Sequence, residues 1–417
     1  MTVRANQLTA LTEAITLVAP LHDPADVVLH HFFRRHPELG RRDRSFVADG
    51  VFAFLRRRRS LVRQAESEEP RRLALAVTLR ELGHSLRDME PLLSPEEVTW
   101  ARAFKGRNPE LSPAEAAELP DWLWERLTLA YSESDRDALA RSWLSPAALD
   151  IRINPLKAKR DDVRASLAAD GLMADRTEYS PVGLRIEGRP MLQRLPLFTE
   201  GSIEVQDEGS QILCYLLAPK RTDMVVDFCA GAGGKTLLLG AMMRSQGRLY
   251  AFDISLSRLT KLKPRLARSG LSNVHPVRIT DERDVHVKRL AGKIDRVLVD
   301  APCSGFGTLR RNPDLKWRHQ PSDIDELAAK QARILASAAT LVKPGGRIVY
   351  ATCSVLTEEN DAVVDGFLAT HPGFEPVDAA AELARAGIPL DTRDRLRLLP
   401  HIHGCDGFFA AVLKRTG

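Results

Sequence analysis

The chain has 417 residues, 44% hydrophobic and 28% charged, a globular composition long enough for two or three domains with their own cores. The net charge of +5 favours a polyanionic partner, and five cysteines at 214, 229, 303, 353 and 405 form no C-x-x-C pair. That excludes a zinc motif and argues against a disulfide framework. No apolar run approaches the ~20 residues of a membrane span, and the first residues lack a signal-type apolar core. The expectation is a cytoplasmic protein with no metal and no membrane partner.

Residues 1–142 read as an all-helical domain. In DRSFVADGVFAFLRRRRSLV (43–62), Phe46, Val47, Val51, Phe54, Leu55 and Leu61 share one helical face, with Asp43 as the expected N-cap. Breaks at EEP (68–70), RNPELSP (107–113) and LPD (119–121) punctuate further helices. Residues 145–215 read as a small α+β module. It has strand-like runs at 149–157, 183–188 and 203–209 and a short helix at 161–171. From 216 to 417, apolar strands alternate with helices. The strands are MVVDF (224–228), RLYAFDI (248–254), VHPVRI (274–279), RVLVDAP (296–302) and RIVYATCS (347–354), with helices at 256–270 and 323–342. This pattern predicts an α/β, doubly wound, mostly parallel sheet with ligands at the carboxyl ends of its strands. GFFAAVLKR (407–415) reads as a late antiparallel edge strand.

The stretch DFCAGAGGKT (227–236) resembles a phosphate loop, but the pattern G-x-x-x-x-G-K-[ST] requires glycine where Cys229 stands. The dinucleotide pattern G-x-G-x-x-G fails at Thr236. A third pattern fits: Asp227-x-x-x-Gly231-x-Gly233 directly after an apolar strand resembles the first motif of class I S-adenosylmethionine-dependent methyltransferases. Glycines let the backbone approach a cofactor closely. An acid at the end of the next strand would take its ribose hydroxyls. Asp253 stands there, 20 residues after Gly233. The plainer reading of Asp253 is an acid at a helix N-terminus.

Two later strand ends carry Cys-Ser: VDAPCSG (299–305) and ATCSV (351–355). A lone buried cysteine is usually a small hydrophobe. Two at equivalent strand ends point to chemistry. DFCAGAGGKT, DAPCSGFGTLRRNPDLKW (300–317) and ATCSVLTEEN (351–360) together resemble the RsmB/Nop2/Sun family of RNA 5-methylcytosine methyltransferases. The similarity extends to RINPLK (152–157), VQDEGSQ (205–211) and HGCDGFFAAVLKR (403–415), so it covers roughly residues 145–417.

The resemblance implies a Rossmann-like class I methyltransferase fold with S-adenosylmethionine as cofactor. It also implies RNA as partner, ribosomal RNA first and transfer RNA as the alternative. Cytosine C5 is a poor nucleophile, and a thiolate adding at C6 activates it. In the family that thiol belongs to the T-C-S motif, here Cys353, and Cys303 is expected to assist release. Asp300 is expected near cytosine N3 and the cofactor's amino group. Lys235 is expected near the base or the cofactor's methionine part. The cofactor set is Cys229, Ala230, Gly231, Ala232, Gly233, Gly234 and Lys235 of the loop, with Asp253, Asp281 and Asp300. Asp284 competes with Asp281 for the adenosine contact. Cys214 reads as core, and Cys405 has no assigned role.

Arg310, Arg311 and Lys316 are expected in a loop over the substrate, and Arg152, Asn154 and Lys157 suit phosphate contact from the small module. Trp317 would stack on a base or anchor its loop. The run RRRR (56–59), with Arg34, Arg35, Arg41, Arg42 and Arg44 nearby, lies in helices that more weakly resemble the NusB-like RNA-binding domain of some members. A helical cap without RNA contact is the alternative. The rival functions are a DNA cytosine methyltransferase, which would not need the second Cys motif, and a non-catalytic RNA-binding assembly factor. The chain is read as a monomer.

Overall fold

The computed structural model describes residues 3–417 and divides into two units. Unit 1 holds the chain up to Pro146 together with Leu309–Pro321. Unit 2 holds Ala147–Thr308 and Ser322–Gly417.

Unit 1 is helical. Ala5–Val18 buries Leu8, Leu11, Ile15 and Val18, the spacing of one helix face. With Leu29, Phe32, Val51, Phe54 and Leu75 they form the core of the unit. Caps set the ends: Ser94 and Glu97 make a reciprocal capping box ahead of Pro95–Gly106.

The helix expected over 43–62 is two helices, Arg41–Arg56 and Arg58–Ala65, broken at Arg57. Its N-cap is Gly40, not Asp43. Asp43 lies in the first turn, where its carboxylate accepts from Arg4 Nη2 at 2.8 Å and Gln7 Nε2 at 2.9 Å. The break strands carbonyls at the end of the first helix and amides at the start of the second. Segment 309–321 and Glu118 satisfy them. Trp317 Nε1 donates to Leu55 O at 2.7 Å, and Lys316 Nζ donates to Arg56 O at 3.1 Å. Glu118 accepts from Arg59 N at 2.9 Å and Ser60 N at 3.2 Å. A cation thus meets a helix C-terminus and an acid a helix N-terminus, each favoured by the helix dipole. Both are buried at 1% exposure. Burial pushes the Lys316 amine down to about 7 and the Glu118 carboxyl up.

These contacts correct the expectation of an RNA-facing loop. Lys316 and Arg310 are buried, and Trp317 anchors its segment. Within the arginine run, Arg56 and Arg59 are engaged inside the unit, while the nearby Arg34, Arg35, Arg41 and Arg42 are exposed. Arg56 donates to Arg310 O at 2.9 Å, and Arg59 to Leu119 O at 2.7 Å and Asp121 at 2.6 Å.

Unit 2 carries twelve strands in two sheets. In the smaller sheet, β1 (Leu149–Ile153) pairs antiparallel with β3 (Gly183–Ile186) and β4 (Ile203–Val205), and β2 (Ala174–Arg176) pairs with β3. The helix Arg160–Ala169 buries Val163 and Leu167 with Ile151, Leu184 and Ile203. Of the three polar residues expected to contact phosphate, Arg152 and Asn154 are buried, whereas Lys157 stays exposed while donating to two backbone carbonyls. Arg152 is 2% exposed and donates to Gln206 Oε1 and to Gly234 O at 2.6 Å. Asn154 Nδ2 donates to Gly201 O and Ser269 O, and Lys157 Nζ to Glu200 O and Arg268 O.

The larger sheet contains β5 (Met224–Asp227), β6 (Arg248–Asp253), β7 (Val274–Arg278), β8 (Ile294–Asp300), β9 (Val342–Thr352), β10 (Phe374–Val377), β11 (Leu396–Leu398) and β12 (Phe408–Arg415). Its order is β10-β12-β9-β8-β5-β6-β7, with β11 also on β12. Strands β5 to β9 pair in parallel, and β12 runs antiparallel to β9. It is a doubly wound α/β sheet. Strand β12 is not the edge strand expected: it lies between β9 on one side and β10 and β11 on the other. Its first six residues are all buried, as an interior strand requires.

Trp317→Ala is expected to destabilise unit 1 by about 2–3 kcal/mol, through lost packing and an uncapped carbonyl. The check is an earlier unfolding transition in urea. An unchanged transition would show the cap to be dispensable.

Candidate active site

The order of the sheet reverses between β5 and β8, which places a crevice at their carboxyl ends. A cavity of about 770 Å³ opens there. The glycine loop forms its floor. Gly233 adopts φ +84°, and a Cβ there would come within 2.1 Å of Leu262 Cδ1, so only glycine fits at the start of the helix Gly234–Met242. Ala230 N donates to Phe252 O at 2.8 Å, and Gly231 N to Asp253 Oδ2 at 2.8 Å. Asp253 Oδ1 accepts from Ser255 N at 2.7 Å. Asp253 therefore fixes the glycine loop and the start of the next helix while lining the cavity.

The predicted residues converge. Cys229, Ala230, Gly231, Ala232, Gly234 and Lys235 line the cavity, as do Asp253, Asp281, Asp300, Cys303 and Cys353. Gly233 shapes the loop from behind. Asp284 does not line the cavity. It caps the helix Val285–Arg289, accepting from His286 N and Thr280 N. Ile254, Ile279 and Ile334 add apolar surface between the acids. Acids for hydroxyls or cationic groups, with apolar walls for a flat ring, suit a nucleoside that carries positive charge. Asp227 adds a buried carboxylate oxygen, Oδ1, that has no partner, while Oδ2 accepts from Thr236 Oγ1 at 2.6 Å. Burial pushes this carboxyl up to about 7.

Lys235 Nζ lies 2.7 Å from Asp300 Oδ2 and 5.5 Å above the Phe408 ring. Burial opposes the ammonium charge, but Asp300 outweighs it, and the amine is held above its ordinary range. Across the cavity, Cys303 Sγ and Cys353 Sγ are 3.4 Å apart. The contact with Cys353, then burial, pushes the Cys303 thiol well up. Cys214 is fully buried with its thiol pushed up to about 12, and Cys405 is equally buried. Burial also raises the Cys229 thiol well above its ordinary range.

Sequence reasoning gave no role to Gln331 and Glu359, whose side chains bond behind the thiols, or to Lys330 on the cavity wall. Glu359 sat in view within TEEN, but an acid in a polar run reads as a solvated residue. Among the described residues, no group of His, Cys, Asp or Glu is arranged to hold a metal ion, and no helix is long and apolar enough to cross a membrane.

A family model for the 16S rRNA methyltransferase RsmB/F matches residues 214–414, and one for the RsmF/B-like ferredoxin-like domain matches residues 119–192. A probable ribosomal RNA small subunit methyltransferase B of Synechocystis is 37% identical over 310 residues, covering 74% of this chain and 69% of the relative. Among solved structures, the crystal structure of PH0851 superposes with a TM-score of 0.81 at 27% identity over 100% of both chains. A methyltransferase homolog protein from Pyrococcus horikoshii gives a TM-score of 0.62 at 27% identity, over 73% of this chain and 100% of that one.

The raised Asp227 carboxyl gives a pH prediction. Between its ordinary value of 3.8 and about 7, the folded state keeps a proton that the unfolded chain has lost. The stability this proton contributes is therefore present at low pH and lost as pH rises. In urea unfolding without added ligand, the wild type is expected to lose stability relative to Asp227→Asn as pH rises from about 4 to about 7. A constant difference over that window would refute the assignment.

Proposed function

Because the chain belongs to the RsmB/F family of 16S rRNA methyltransferases, we propose that it methylates C5 of a cytosine in ribosomal RNA, in the cytoplasm, with S-adenosylmethionine as donor. The observation that carries the reading is the pair of thiols 3.4 Å apart in the cavity that also holds the Lys235–Asp300 pair. A single thiol would serve a nucleophile. Two at one spot suit a reaction that must both form and break a bond to the enzyme.

The bound cofactor would supply an electrophilic sulfonium methyl group. The glycine loop and Asp253 would hold its nucleoside, Asp281 would face its base, and Asp227 would face a cationic group. The target base leaves its stack to enter the cavity. Cys353, as thiolate, adds to C6 of the ring and makes C5 nucleophilic. Lys235 and Asp300 present a fixed charge pair to the ring as charge develops on it. After transfer the C5 proton passes to Cys303, acting as a base or through one, and on to solvent. The C5–H electrons restore the C5–C6 double bond, the C6–sulfur bond breaks, and Cys353 leaves as thiolate.

Cys353→Ala is expected neither to methylate in vitro transcribed 16S rRNA nor to form an adduct with it. Cys303→Ala is expected to accumulate a covalent RNA adduct that survives a denaturing gel. Full activity of Cys353→Ala would overturn the assignment. Labelled methyl transfer to DNA or transfer RNA in place of 16S rRNA would redirect the substrate.

A further inference from the structure

The two cysteine loops share one support. Glu359 lies on the short turn Thr357–Glu359, and its side chain is fully buried. Its Oε1 accepts from Ser304 N at 2.8 Å and from Gln331 Nε2 at 3.0 Å. Its Oε2 accepts from Ser304 Oγ at 2.5 Å and from Ser354 Oγ. Ser304 and Ser354 are the residues directly after Cys303 and Cys353. The two hydroxyls also touch each other at 3.2 Å. Gln331 donates in addition to Pro302 O at 3.0 Å, and Tyr350 OH to Glu359 O at 2.6 Å. Asn360 accepts from Thr352 Oγ1 and donates to Ser354 O at 3.0 Å, bracketing Cys353 from both sides.

A carboxylate offers about four acceptor sites, and four donors converge on this one. Burying an acid costs free energy that an apolar residue of similar size would avoid. What the acid provides, and packing does not, is a directional link between two loops that are 50 residues apart in sequence. We propose that Glu359 is a positioning residue that holds the two thiols at their working distance through Ser304 and Ser354. This rests on the reading that both thiols act on the base. The charge of Glu359 also contributes to keeping Cys303 protonated, behind the contact with Cys353 and burial.

The test compares full-length Glu359→Gln with the double variant Ser304→Ala/Ser354→Ala. It measures kcat and KM on in vitro transcribed 16S rRNA, and S-adenosylmethionine binding by calorimetry. A misplacement near 1 Å costs about 10²-fold, so kcat is expected to fall about 10- to 100-fold in each. KM is expected to stay within about threefold and cofactor affinity to be unchanged. Combining all three substitutions should add little, as for groups acting as one unit. Wild-type kcat in either folded variant, or a loss confined to KM or cofactor binding, overturns the proposal. If Glu359→Gln does not fold, the serine variant, which keeps the carboxylate, decides alone. Cys353→Ala is the control: if it is dead while Glu359→Gln is fully active, only this proposal falls. If Cys353→Ala is active, the reading of the thiols falls instead.

Discussion

Parallel pairing of β8 with β9 is the constraint on which the site depends. Asp300 pairs with Ala351 at the end of the ladder, and Ala301 N extends it to Ala351 O at 2.8 Å. Neighbouring strands lie about 4.8 Å apart. Residues just past two paired strand ends are therefore neighbours before any loop geometry is chosen. Cys303 lies three residues past Asp300 and Cys353 two past Ala351, so the register already brings the thiols side by side. On the other side of β8, β5 delivers the glycine loop to the same level. One sheet register thus sets the cofactor-side loop, the Asp300 carboxylate and both thiols together.

That register explains what could be read from the sequence. Strands buried on both faces appear as short apolar runs, and residues at their carboxyl ends can be assigned to one crevice without knowing the loops. The glycine loop, Asp253 and the two Cys-Ser ends follow from that logic, Asp300 from the family resemblance, and the structure gathers them around one cavity. β2 was missed because three residues carry no period. β12 was placed at an edge because it comes last in the chain. Its uninterrupted apolar run FFAAVL was the signal of an interior strand.

The charged residues were harder to place, for a physical reason. A lysine or arginine in a list reads as surface, but each is also a strong donor, and a fold uses donors wherever backbone carbonyls lack partners. Lys316 and Trp317 close the end of Arg41–Arg56, Glu118 opens Arg58–Ala65, and Arg152 reaches Gly234 O. No pattern within either short segment reveals this. The carbonyls exist only because a helix breaks at Arg57, some 260 residues away from Lys316. The segment after Cys303 is thus built into the core of unit 1, although its sequence reads as a continuation of the catalytic loop.

The two thiols pose a problem that the surrounding charges answer. Two thiolates at 3.4 Å would repel, so the site can carry only one. Lys235, paired with Asp300, also interacts electrostatically with Cys353. The contact with Cys353, then burial, with a smaller part from the charge of Glu359, raise the Cys303 thiol. The acid that joins the two loops is therefore also a charge that raises the Cys303 thiol. A neutral link of the same shape would fix the distance without placing that charge beside Cys303.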